Sequence, residues 1–155
     1  MSALNQNIEK LNGHLARYRR GGILHRIAGA DHAGGGGVFE TLSPVDKSTI
    51  CQVARGDAGD IDKAAKAAKA AFPAWRDMPA KQRKSILIKI AEGIEARAEE
   101  IALCECWDTG QDWRFMSKAA IRGAENFRYF ADQAEAARDG QHLQSATLMN
   151  ITTRV

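Results

Sequence analysis

Four successive apolar stripes at helical spacing, running from Asp57 to Gly140, limit the fold open to this chain more than any other feature. Ile61, Ala65, Ala68, Phe72 and Trp75 recur at intervals of three to four residues, which puts them on one face of a helix. Asp57, with Asp60 three residues on, has the form of an N-cap and its N3 acid, and Pro73 is expected to disrupt the last turn. Pro79 suits the first position of a second helix, whose stripe is Ile86, Leu87, Ile90, Ala91 and Ile94. Ala98, Ile101, Ala102 and Glu105 carry a third, closed by Gly110 just past its end. Trp113, Met116, Ala120, Ala124, Phe127, Ala131 and Ala134 mark one long fourth helix that stops near Gly140. Faces this apolar need cover, and left bare they tend to associate.

The first third of the chain reads differently. Met1 to Gly22 is polar with weak helical spacing through Ile8, Leu11 and Leu15, and is expected to be a loosely attached N-terminal extension. Gly34 to Gly37 form a permissive turn separating a short strand at Leu24 to Ile27 from another at Phe39 to Leu42. Ser43-Pro44-Val45-Asp46 is turn chemistry, and Ile50 to Ala54 alternates as the returning arm of a hairpin. Leu148 to Val155 alternates as a strand with nothing downstream to pair with it. No solenoid period is present, and 155 residues suit one domain or part of one.

Several classes of function are disfavoured. Lys+Arg 22 against Asp+Glu 19 leaves a net charge of +3 without a basic stripe, which excludes a nucleic-acid surface. The longest apolar runs, such as Ile86-Leu87-Ile88, fall well short of the roughly 20 residues needed to cross a bilayer, so no membrane is expected. Residues 1 to 20 lack the apolar core of a signal peptide, and three cysteines at no framework spacing fit reduced thiols in the cytoplasm.

The glycine run is not placed to hold a phosphate, because strand-like Val38 to Leu42 follows it where a dinucleotide fingerprint needs a helix. Cys104 and Cys106, two apart on a helix, point to different faces, and His14, His25, His32 and His142 offer no ligand spacing. Asp108 is less easily set aside, since a carboxylate at a helix C-terminus opposes the macrodipole and needs a compensating partner. Lys118, Arg122 and, less well aligned, Arg128 lie along one helix. As a solvated face they would pair with Glu125 and Asp132.

Ile23-Leu24-His25-Arg26-Ile27-Ala28-Gly29, then Asp108-Thr109-Gly110, then Asn126-Phe127-Arg128-Tyr129-Phe130-Ala131 occur in the order found at the front of the aldehyde dehydrogenases. The chain resembles that family from Leu24 to Val155, and the Arg-x-x-x-Asn-Phe-x-x-Phe-Ala spacing resembles the branch acting on 5-carboxymethyl-2-hydroxymuconate semialdehyde. The resemblance implies an α/β fold: a β-hairpin plus helices that flank a Rossmann-like NAD-binding domain, mostly helical in this stretch. It divides the chain into an extension (1–22), a segment of the NAD-binding domain (23–140, with the hairpin at 23–54 and helices at 57–140) and the truncated start of the oligomerisation strands (141–155). It further implies NAD or NADP as the hydride acceptor, a homo-oligomer, and a carboxylate-bearing semialdehyde substrate from aromatic-compound degradation. The family's nucleophilic cysteine, glutamate base and nucleotide-binding units would follow Val155, so no catalytic or cofactor-binding residue is expected here and this fragment should be silent by itself. By the same resemblance, Asp108 and the Leu42 carbonyl are candidate ligands of a monovalent cation, and Arg122, with Lys118 one turn back, is the candidate holder of the substrate carboxylate. A guanidinium fork suits that task because it can engage both oxygens. The alternatives are a truncated subunit that acts as an interaction module for a full-length dehydrogenase, and an unrelated helical binding domain.

Overall fold

The computed structural model describes residues 2–136 and 141–152. In chain order these form α1 (Ala3–Gly21), β1 (His25–Ile27), β2 (Ala30–His32), β3 (Val38–Leu42), β4 (Thr49–Ala54), α2 (Ala58–Asp77), α3 (Ala80–Glu95), α4 (Ala98–Thr109), α5 (Trp113–Met116), α6 (Ala119–Ala136), β5 (Gln141–Gln144) and β6 (Met149–Thr152). Among the described residues the named strands form three antiparallel ribbons, β1–β2, β3–β4 and β5–β6, beside a predominantly helical body, and Ile23 adds one parallel bridge to Val53 of β4.

The N-terminal segment is not loosely attached. Ser2 caps α1 by accepting from Asn5 N–H, and Leu11 and Leu15 enter one cluster with Ile50, Cys51 and Leu103, so α1 closes over β4 and α4. Two apolar positions one turn apart, weak as a sequence signal, are joined by Tyr18 packed on the same cluster and by ion pairs of Lys10 with Glu99 and Arg17 with Glu100 on α4. Consecutive burial of Ile50 and Cys51 has a local cause. Thr41 pairs with Cys51 but Leu42 with Thr49, a bulge that leaves Ile50 as an extra residue and turns both inward.

The glycine run is not the turn between two strands. β1 turns directly into β2 through Ala28 and Gly29, both at positive φ (51° and 80°), as a two-residue hairpin requires. Residues 34–37 instead lie against the start of α2. Gly36 N–H donates to the Arg55 carbonyl at 3.0 Å, and Gly35 N–H to Asp60 Oδ2 at 2.6 Å.

Asp57 and Asp60 form the expected capping box at α2. Pro73 does not disrupt the last turn. It lies within α2, where the one backbone bond it removes leaves an acceptor on an exposed helix face, open to water. Pro79 is the residue before α3 rather than its first. Gly110, at φ 75°, ends α4 as expected.

The long fourth helix is in fact two, α5 and α6, broken at Ser117 and Lys118; its expected end near Gly140 lies outside the described residues. Asp112 starts α5 with its own side-chain cap, accepting from Arg114 N–H at 2.7 Å, and Met116 and Ala120 are buried on either side of the break. Helices α3 and α6 approach through small residues, Ala91, Ala124 and Ala131 at 0% exposure. Ion pairs of Glu95 with Arg128 (2.6 Å) and Lys84 with Asp132 (3.0 Å) flank the contact. Much of the expected apolar stripe remains bare: Ile61, Phe72 and Trp75 on α2, Ile86 and Ile90 on α3, and Phe127 on α6 are exposed. The last strand does have a partner, β5, upstream of it rather than downstream; residues 153–155 lie outside the described residues.

Candidate functional site

A buried hydroxyl brings the end of β3 against the last turn of α4. Ser43, 1% exposed, donates through Oγ to the Trp107 carbonyl at 2.7 Å and accepts from Val45 N–H at 3.2 Å, so both its hydrogen-bonding capacities are used. On one side of this bond Thr41 Oγ1 donates to Asp108 Oδ1 at 3.3 Å. On the other, the Pro44 ring lies against Gly110, where an added Cβ would stand 3.1 Å from Pro44 Cγ. Gly110 is therefore required twice, by its left-handed backbone and by this approach.

Asp108 and the Leu42 carbonyl thus sit on two segments fastened side by side, each one residue from the Ser43 to Trp107 bond. A carboxylate, a hydroxyl and main-chain carbonyls are hard oxygen donors, chemistry that fits an alkali cation and not a soft transition metal. The negative end of the α4 dipole falls in the same place. A cavity of about 410 Å³ opens alongside, lined by Leu15, Tyr18, Ile50, Cys51, Cys104 and Asp108 among others. The Asp108 carboxylate is felt there, since the Cys51 thiol is pushed up first by burial and then by that charge. At the cavity rim Glu100 is held by Arg97 through two bonds of 2.8 Å and by Arg17, and its carboxyl lies below the ordinary range, chiefly through the Arg97 hydrogen bonds.

Lys118 and Arg122 lie at the α5 to α6 break. Arg122 N–H donates to the Lys118 carbonyl at 3.1 Å, which starts α6 and sets the two exposed side chains one turn apart on one face. Of the two carboxylates that a plain surface role would provide, Asp132 is engaged by Lys84, while Glu125 is exposed on α6 and pairs with neither cation; Arg128 is taken by Glu95 of α3 in a two-pronged contact of 2.6 and 3.2 Å. Of the three cations along this helix, Arg128 is structural, and among the described residues Lys118 and Arg122 form no ion pair.

No cysteine here resembles an activated nucleophile. Burial raises all three thiols, Cys104 further through Glu100, and Cys106 through Asp112 and Glu105. Cys104 packs into the cluster containing Cys51. The glycine loop has an occupant of its own. Asp60 Oδ2 accepts from Gly35 N–H and from Asp57 N–H (3.1 Å), bonds that hold its carboxyl at about 2, so a carboxylate of this chain fills the position a phosphate would need. Ser43 and Thr41 were missed in the sequence, where Ser43-Pro44 signals only a turn; contact with a residue 64 positions away leaves no local trace.

A model of the aldehyde dehydrogenase family matches residues 32–155. Over 102 residues, 65% of this chain and 20% of the relative, the sequence is 44% identical to an EPTC-inducible aldehyde dehydrogenase of Rhodococcus erythropolis. The fold is similar to that of HpcC from Thermus thermophilus, with a TM-score of 0.82 and 37% identity, covering 89% of this chain and 27% of that one. PnpE from Pseudomonas sp. WBC-3 is similar at a TM-score of 0.73 and 35% identity, covering 83% and 27%, and a PnpE structure in complex with nicotinamide adenine dinucleotide matches to the same degree. The chain spans about a fifth of the length of the curated relatives it matches.

Proposed function

Because the chain belongs to the aldehyde dehydrogenase family, we propose that it supplies the hairpin and helices of an NAD- or NADP-dependent enzyme that oxidises a carboxylate-bearing semialdehyde to the acid. The observation that carries this reading is Arg122, an exposed guanidinium that forms no ion pair among the described residues, while its helical neighbour Arg128 is held by Glu95. Its fork is available to hold both oxygens of a substrate carboxylate, and Lys118 adds a second positive charge on the same face. Bound NAD or NADP supplies the hydride acceptor for the oxidation. The residues of this chain bind and orient: Arg122 and Lys118 anchor the end of the substrate remote from the aldehyde, and Asp108 with the Leu42 carbonyl holds a monovalent cation that ties β3 to α4. The substrate is, in this reading, a semialdehyde of the hydroxymuconate type formed in aromatic catabolism, acted on in the cytoplasm. Among the described residues no helix is long and apolar enough to cross a membrane. The exposed side chains of Leu148, Met149 and Ile151 on and beside β6 support assembly into a homo-oligomer through that ribbon.

The test is Arg122→Ala in an assembled enzyme containing this segment. A lost bidentate, charge-assisted contact costs on the order of 2–3 kcal/mol, so KM for a carboxylate-bearing aldehyde rises strongly while an uncharged aldehyde is nearly unaffected. Arg122→Lys restores part of the loss, because the charge remains and the fork does not. Equal kinetics on the two aldehydes would return Arg122 to a solvated helix face.

A further inference from the structure

We infer that Ser43 is a positioning residue for cation binding: its bond to Trp107 sets the separation between the Leu42 carbonyl and the Asp108 carboxylate, and with it the affinity for a monovalent cation. The inference rests on the cation reading of those two groups.

The turn in which Ser43 lies does not need the bond. Ser43 N–H donates to the Ser48 carbonyl at 2.9 Å, Lys47 N–H to the Ser43 carbonyl at 2.8 Å, and Ser48 N–H to Asp46 Oδ1 at 2.9 Å, so residues 43–48 are closed by contacts of their own. The Ser43 hydroxyl proton reaches instead to α4. Trp107 is in the last turn of that helix, where the closing carbonyls lack an intrahelical partner. Ser43 Oγ satisfies one of them, and does so while buried, where water cannot substitute without the two segments moving apart. The other links between these segments are weaker. The Thr41 to Asp108 bond is long and exposed, and Pro44 on Gly110 is a packing contact. A cation held from both sides needs the two sides at one spacing, and Ser43 is the buried polar tie that defines it.

Thallium(I), a potassium mimic read directly by its own magnetic resonance line, is titrated into the 155-residue chain against a choline background of equal ionic strength. The wild-type chain binds with a millimolar dissociation constant, and Ser43→Ala weakens binding by about five- to tenfold, the ratio that corresponds to one hydrogen bond. Ser43→Cys, which keeps the shape with a poorer donor, falls between the two. Ala91→Gly in α3 lowers stability at a site remote from β3 and leaves the constant unchanged. Wild-type affinity in both Ser43 variants would overturn the inference and leave the cation reading intact. So would a loss in Ala91→Gly that tracks its loss of stability, since general softening would then explain the effect. A wild-type chain that binds no thallium would overturn both.

Discussion

Leu15→Ala tests whether α1 belongs to the core. Leu15 is 3% exposed and shares a cluster with Leu11, Ile50, Cys51 and Leu103. Truncating a buried leucine to alanine costs about 2–5 kcal/mol, the lost transfer free energy plus a term for the space left behind. Leu15 also borders the cavity of about 410 Å³, so part of its surface has few packed neighbours to lose. That places the expected cost at the lower end, about 2–3 kcal/mol. Leu4, at the outer end of the same helix and 66% exposed, is the control, and its truncation should stay within about 0.5 kcal/mol. In urea the Leu15→Ala midpoint falls with little change in slope, and in a thermal melt Tm drops by about 4–12 °C, given roughly 2–4 °C per kcal/mol for a chain of this size. If the two variants melt together, α1 is only tethered to the body and the packing argument fails.

Asp60 makes the chain sensitive to acid. Its carboxyl is lowered from 3.8 to about 2 in the folded state, first by the Gly35 and then by the Asp57 backbone hydrogen bonds. The unfolded chain therefore takes up this proton first, so the contribution is fully present above about pH 4 and is lost as pH falls toward 2. Stability of the wild type minus that of Asp60→Asn should shrink across that window, and parallel curves would refute the role given to Asp60. The three thiols, all raised, should be alkylated by iodoacetamide more slowly in the native chain than in the denatured one, with the native rate still climbing at pH 9.0. Fast native labelling at neutral pH would point to an activated cysteine that the structure does not explain.

Local structure was legible in the residues alone. The Asp57 and Asp60 capping box, the left-handed Gly110 and the antiparallel pairing of residues 38–42 with 49–54 each depend on neighbours within a few positions, and each is found where expected. Family-ordered motifs added the identity of the fold, and they placed Asp108 and Leu42 on segments that prove adjacent. The rest depended on how the elements pack. Two leucines in a polar stretch became core because α4 and β4 offered them a surface; a glycine run that reads as a free turn was docked by an aspartate 25 residues away. Among the described residues, the pairing of Arg128 with Glu95 and of Asp132 with Lys84, each across the α3 to α6 contact, left Lys118 and Arg122 outside any ion pair. Ser43 is the clearest instance. A serine before a proline specifies a turn through backbone geometry alone, but the acceptor of its hydroxyl proton was chosen only when α4 ended beside it, and contacts between distant segments are fixed by packing, not by the residues that flank them in the chain.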